Sequence, residues 1–419
     1  MTVPGASAEQ ALDARPDEAS ASVEGRLRIA LVYDRLYPHE IGGFERFYRD
    51  LAERLAARHE VTFLTRTQWA GKRCPDPPVG VRLVAFDCGS QVYTASGRRR
   101  ILPTLRFGMS VLIHLMRNRK RYDVVETGSF PFFSALAAML VRSLKGPEVV
   151  TDWIEVWSDD YWRRYLGLLG GRVGAAVQRL CIRLTRHAFT FSRLTAELLR
   201  QHGYSGQLVI LKGMSDSPGP APLRLERDPL VVFAGRQIRE KHADAIPAAI
   251  SLARGQIADL QAIVFGEGPA RAELLAEVTR LHLENIVSCP GFVPWEEVDS
   301  AMRRAMCLIL PSEREGYGAV VMEAIARGTP AIVVRAPYNA ATGLIVENVN
   351  GFIAPSIGAY DLSAQIVKVH QEGRDLLLRT HQWFCEHAQE VSIDACVKSV
   401  EQTYRMITCS PDGATSGRA

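Results

Sequence analysis

Apolar positions recur along the chain in two series built the same way. The first opens with the unbroken run Leu27–Tyr33, which predicts a buried strand. Phe44, Phe47, Leu51 and Leu55 follow at the spacing of one helix face. Short strand-like runs return at Val61–Leu64, Val81–Phe86, Asp123–Val125, Val149–Thr151, Ala188–Phe191 and Leu208–Leu211, with helical patterns between most of them. A stretch crowded with Pro, Gly and Ser after Gly213 interrupts the pattern. The second series then runs through Leu230–Ala234, Ala262–Phe265, Ile286–Ser288, Cys307–Leu310, Ala331–Val334 and Phe352–Ala354.

Strands that are apolar throughout and alternate with helices belong to parallel sheets covered on both faces. The predicted fold class is therefore α/β, with two Rossmann-like domains and a ligand cleft between them. The expected divisions are a disordered leader over residues 1–25, a first domain over 26–214 and a linker over 215–228. A second domain covers 229–390, a terminal helix 391–407 and a polar tail 408–419. Loops at the carboxyl ends of the strands are where ligands are expected.

Composition narrows the function. A net charge of +4 over 419 residues argues against a dedicated nucleic-acid binder. The eight cysteines form no C-x-x-C pair, and several lie inside apolar runs, so buried free thiols in a reducing compartment are expected. The first 25 residues lack a signal-peptide core, and no apolar run reaches the ~18 residues of a spanning helix, so a cytoplasmic protein is expected. The segment from Arg98 to Arg121 mixes eight basic residues with Leu, Ile, Val and Phe. It reads first as a helix covering the sheet with its basic ends in solvent. Weak peripheral contact with an anionic membrane is the second reading.

Four segments carry chemistry. The strongest is Ser312-Glu313-Arg314-Glu315-Gly316-Tyr317-Gly318 through Glu323 to Pro330, a strand–turn–helix–strand string. Its turn offers backbone N–H groups to an anion, and Gly316 and Gly318 let ligand atoms approach. Glu315 and Glu323, eight apart, are each suited to a pair of hydroxyls. Taken alone, Glu323 also reads as a solvated helix residue. In Gly235-Arg236-Gln237-Ile238-Arg239-Glu240-Lys241, two cations follow a strand end, as a diphosphate leaving group requires. Gly42-Gly43 follows the first strand, as a phosphate loop or a plain turn. Gly266-Glu267-Gly268 and Phe292-Val293 complete the set; Arg271 in place of a third glycine argues against a dinucleotide fingerprint.

Together these segments resemble retaining glycosyltransferase family 4, a glycogen-phosphorylase-type group with the GT-B fold. The match runs nearly residue for residue from Ser312 to Pro330. The resemblance implies that Glu315 contacts the donor sugar and Glu323 the nucleotide ribose. It implies that Gly316, Tyr317 and Gly318 hold sugar and phosphates through backbone, and that Arg236 and Lys241 neutralise the leaving diphosphate. It further implies that Gly42 and Gly43 reach the phosphates and that Gly266, Phe292 and Val293 lie near the base. No cofactor and no metal are expected. The resemblance also implies a UDP-sugar donor ahead of a GDP-sugar, and a small-molecule, lipid-linked or glycan hydroxyl as acceptor.

The sequence departs from the family twice. His242 replaces a glycine after Lys241, and Ile154 stands where a subgroup carries a His. Asp152, Glu155 and Ser129 are the acceptor-side candidates instead, with Tyr161 and Trp162 nearby. Two rival functions follow: a nucleotide-sugar epimerase on the same fold, and a non-catalytic partner of an active transferase.

Overall fold

The structure, a computed structural model, describes residues 25–69, 76–88, 99–214 and 219–409. The expected leader (but for Gly25), the start of the linker at 215–218, nearly all of the tail, Arg98 and Cys74 lie outside the described residues.

The first domain has seven strands, β1 Arg28–Val32, β2 Glu60–Arg66, β3 Arg82–Phe86, β4 Val124–Gly128, β5 Glu148–Trp153, β6 His187–Thr190 and β7 Gln207–Ile210. All pair in parallel, in the order β3-β2-β1-β4-β5-β6-β7. The second domain begins at β8 Asp228–Ala234 and continues through β9 Gln261–Phe265, β10 Val287–Gly291 and β11 Ala305–Leu310. A two-residue strand, β12 Arg314–Glu315, precedes β13 Ala331–Val334, β14 Tyr338–Asn339 and β15 Gly351–Ala354. Its main sheet runs β10-β9-β8-β11-β13-β15, the same winding as the first. Every strand called from the pattern is present. What the pattern missed is the β12–β14 pair, too short for any periodicity, and the helical stretch Ala359–His387, broken at Gly373.

The strand order reverses between β1 and β4 and again between β8 and β11. Loops diverge at such points and leave a crevice at the carboxyl ends of the strands. The loop carrying Gly42-Gly43 leaves β1, Ser129 follows β4, Arg236 follows β8 and Ser312 follows β11.

Helices cover both faces of the first sheet. Gly43–Ala56 buries Phe44, Phe47, Leu51 and Leu55 on one face. Helices Ile101–Arg117, Phe133–Ser143 and Asp159–Leu184 cover the other around Phe107, Ala138 and Ile182. The last helix, Ile393–Cys409, follows the second domain in the chain but returns to the first. Its Tyr404 hydroxyl donates to Glu126, Glu401 meets His59 at 3.1 Å, and Arg54 donates to Asp394 at 2.7 Å. Of the described cysteines, 88, 181, 307 and 396 are buried free thiols, Cys289 is half-buried, and Cys385 and Cys409 are exposed. No helix among the described residues is long and apolar enough to cross a membrane.

Candidate active site at the domain cleft

The two switch points face each other, and the residues singled out in the sequence gather where they meet. A Cβ on Gly43 would stand 3.4 Å from the Cβ of Ala319, at the start of helix Ala319–Ile325. The glycine loop of the first domain is thus laid against the helix entry of the second.

Glu315 is fixed by three constraints. The β12–β14 pairing aligns it with buried Asn339, whose amide donates to the Ser312 carbonyl at 2.9 Å. The Ser312 hydroxyl donates to the Glu315 carboxylate at 3.3 Å. Lys241 closes an ion pair with the same oxygen, both side chains being largely shielded from solvent. Arg236, at the end of β8, is exposed and has no ion-pair partner among the described residues. Its charge is therefore open to solvent at the carboxyl end of β8.

Glu323 lies eight residues on, in the first helical turns, and is only 8% exposed. Arg46 of the first domain donates to it at 3.0 Å. Burial pushes the Glu323 carboxyl up; Arg46 and Arg327 pull it back. The guanidinium groups of Arg46 and Arg327 lie 4.9 Å and 5.3 Å from the centre of the Trp295 ring. Arg46 and Trp295 are site residues that the motif reading missed. Arg46 directly follows Glu45 in the Gly-Gly string, so the signal was in plain view.

The loops after β8 and β9 are zipped together by backbone. Gln237 N–H donates to Glu267 O at 2.8 Å, and Gly266 N–H to Gly291 O at 2.7 Å. A Cβ on Gly266 would fall 2.0 Å from the Gly235 carbonyl oxygen, and its φ is +111°, so only glycine fits. Phe292 stands 59% exposed beside this junction, while Val293 packs on the core. His242, in place of the family glycine, adopts the left-handed conformation that the position demands, with φ 47°.

Gly316 also has a packing role. A Cβ there would come 2.5 Å from Ile154 Cγ2 and 2.9 Å from the Ile154 carbonyl oxygen. The glycine lets the two domains close on each other at the position where the family His is absent. Tyr317 is buried, and its hydroxyl donates to the Lys212 carbonyl at 3.0 Å, so its side chain braces the approach to the linker.

The acceptor-side candidates divide. Glu155 lines the cleft and accepts from Arg314 at 2.5 Å and from the Trp157 indole at 3.1 Å. Arg314 also lies over Trp157 and Tyr161, 4.6 Å and 3.9 Å from the ring centres. Tyr161 itself donates to Glu240 across the cleft at 2.8 Å. Ser129 is buried, its N–H bonded to the Asp152 carbonyl at 2.8 Å. Asp152 is a correction: it is fully buried beneath the cleft, where the Tyr48 hydroxyl donates to it. Its position at the end of a strand suggested a cleft residue, but strand alternation turns it into the core. Burial and the neighbouring Glu126 push its carboxyl well above the usual range. No cluster of three or more His, Cys, Asp or Glu able to hold a metal ion is found among the described residues.

Comparison with known proteins fits this geometry. Residues 220–380 match the family model for glycosyl transferases group 1, and residues 42–211 that for the glycosyl transferase 4-like domain. The alpha-D-kanosaminyltransferase of Streptomyces kanamyceticus is 29% identical over 213 residues, covering 50% of this chain and 52% of its own. The amylovoran biosynthesis glycosyltransferase AmsK of Erwinia amylovora is 27% identical over 196 residues, covering 44% and 48%. The chain spans about half the length of these curated relatives. Sucrose-phosphate synthase from Thermosynechococcus elongatus shares the fold with a TM-score of 0.74 at 20% identity, covering 91% of this chain and 99% of that one. Anabaena HepE, solved with UDP and glucose, gives 0.65 at 16% identity, covering 91% and 100%. These relatives are transferases or share only the fold, and nothing among them supports the epimerase alternative. With one family domain on each side of a GT-B cleft, the chain belongs to the glycosyltransferases that pair a 4-like domain with a group 1 domain.

Proposed function

We propose that the protein moves a sugar from a UDP-sugar to a hydroxyl acceptor with retention of anomeric configuration. The observation that carries this reading is the Lys241–Glu315 ion pair with the exposed Arg236 on the same strand-end loop as Lys241, and Glu323 about one turn into the helix that follows Glu315. Without donor, Lys241 and Glu315 neutralise each other. A diphosphate entering beside Arg236 competes for Lys241 and frees Glu315 to accept from sugar hydroxyls. Arg236 grips two phosphate oxygens, Lys241 supplies a point charge, and Glu323 takes the ribose diol. Gly42, Gly43, Gly316 and Gly318 keep the phosphate path free of side chains. Phe292 offers a ring to the base, with the backbone of Gly266 and Val293 alongside.

Charge that grows on the leaving oxygen is met by Arg236 and Lys241, so this reading needs no metal ion. The acceptor oxygen attacks the anomeric carbon from the side the diphosphate leaves. The glycosidic bond to phosphate breaks, and its electron pair goes to the leaving oxygen, which takes the acceptor proton. No protein nucleophile is assigned. Glu155, steered by Arg314, faces the acceptor side, while buried Ser129 lies beneath it. UDP is favoured because Anabaena HepE and the pneumococcal transferase GtfA were both solved with UDP. Free thiols in every described cysteine agree with a cytoplasmic setting. The test is proton NMR of the sugar first released from a UDP-α-sugar. The α anomer before mutarotation supports retention; the β anomer overturns it.

A further inference from the structure

The helical layer Ile101–Arg117, Phe133–Ser143 and Asp159–Leu184 is apolar on its outer side as well as its inner one. Helix Ile101–Arg117 buries Thr104, Phe107, Val111 and Leu115 against the sheet. On its opposite face Leu102, Leu105, Met109, Ile113 and Met116 recur at helical spacing, each between 38% and 58% exposed. Helix Asp159–Leu184, kinked at Gly167, repeats the arrangement with Leu169, Val173, Leu180 and Leu184, from 48% to 75% exposed. Leu140 and Leu144, 50% and 46% exposed, bridge the two. Thirteen of the 24 exposed large apolar side chains of the described chain lie on this one layer. A concentration of that kind is not the scatter of single apolar residues that any surface carries.

Charge on the same layer is mostly positive. Helices Ile101–Arg117, Phe133–Ser143 and Asp159–Leu184 carry eight Arg against two acidic residues, Asp159 and Asp160 in the first turn of the last helix, while the whole chain is only +4. Arg99, Arg142 and Arg179 are used internally, paired with Asp34, Glu148 and Asp159. Arg106, Arg117, Arg119, Lys120, Arg172 and Arg183 are exposed around the aliphatic ridges. Two copies meeting through this face would bring like charges together. An anionic bilayer offers both an apolar depth for the Leu and Met side chains and a negative surface for the Arg collar.

We infer that this layer is a docking surface for membranes rich in anionic phospholipid. The sequence reading preferred an ordinary sheet-covering helix; the structure shows that covering the sheet uses only one of its two apolar faces. The inference stands on surface composition and is independent of the donor chemistry.

The test is flotation of the full chain with phosphatidylcholine vesicles, with and without about 30% phosphatidylglycerol, at about 0.1 M salt. Binding is expected only to the anionic vesicles, falling as salt is raised. Leu105→Glu/Met109→Glu and, separately, Arg117→Ala/Arg119→Ala/Lys120→Ala are each expected to reduce the bound fraction about tenfold or more. The second variant changes only exposed side chains, and the circular-dichroism melts of both are to match wild type. Failure of folded wild type to float with anionic vesicles overturns the inference, as does undiminished binding by both variants. Sedimentation showing a wild-type dimer that Leu105→Glu/Met109→Glu dissociates, without vesicle binding, assigns the face to a second copy and also overturns it.

Discussion

Glu323→Gln isolates one contact of the proposed donor complex. A ribose diol on this carboxylate makes two hydrogen bonds to a charged acceptor, worth ~1.5–3 kcal/mol each, against ~0.5–1.5 for a neutral amide. The difference is about 1 kcal/mol per bond, so UDP binding weakens by about 2 kcal/mol, or roughly 30-fold in Kd. The substitution also loosens Arg46, which donates to Glu323 at 3.0 Å, and that effect reaches any ligand. The remedy is a cycle with 2′,3′-dideoxy-UDP, which lacks both hydroxyls. Isothermal titration of both nucleotides against both proteins leaves only the diol–carboxylate coupling. The expected result is about 30-fold weakening for UDP and a far smaller change for the dideoxy nucleotide. Equal weakening of the two, or none, refutes the assignment of Glu323 to the ribose. Because burial raises the Glu323 carboxyl, UDP affinity also falls on acidification at a higher pH than an ordinary carboxylate sets.

Three further outcomes are expected. Gly316→Ala places a Cβ 2.5 Å from Ile154 and opens the cleft; overpacking of ~1–3 kcal/mol lowers kcat about 10- to 100-fold, and small-angle scattering reports a larger radius of gyration with the melting temperature little changed. Arg314→Ala removes the Glu155 ion pair and both ring contacts; at ~0.5–2 kcal/mol for a cation over an aromatic ring, acceptor KM rises several-fold while donor Kd holds, as steady-state kinetics and titration separate. Burial raises the Glu126 carboxyl to about 7 from an ordinary value of 4.5. A carboxyl raised on folding stabilises the fold below its unfolded value and loses that contribution as pH rises through the folded value. Stability thus falls between about pH 4.5 and 7, and thermal melts of Glu126→Gln show a flatter profile and a higher midpoint at pH 8.

Much of this was legible in the sequence because its signals are local. Parallel strands buried on both faces appear as plain apolar runs, so both sheets could be drawn from Leu27 to Ala354. The Glu315–Glu323 string and the Arg236–Lys241 loop read directly, since turn, strand end and helix entry are consecutive. What spans the domains did not read. Arg46 on Glu323, Arg314 on Glu155 and Ile154 on Gly316 join residues more than 150 positions apart. The terminal helix is another such case: its apolar face fits either domain, and Tyr404 reaching Glu126 decides for the first. Asp152 failed for the opposite reason, because a carboxylate at a strand end signals a site, and only the pleat tells which way it points.

Release of UDP tests most directly whether Lys241 and Glu315 act together on the donor. Wild type, Lys241→Ala and Glu315→Ala are incubated with a panel of UDP- and GDP-sugars, and free nucleotide diphosphate is measured by chromatography. The expected result is slow release from one UDP-sugar by wild type and a loss of about a hundredfold or more in either variant, both still folded. Release by the variants at the wild-type rate, or no binding of any donor by wild type, contradicts it.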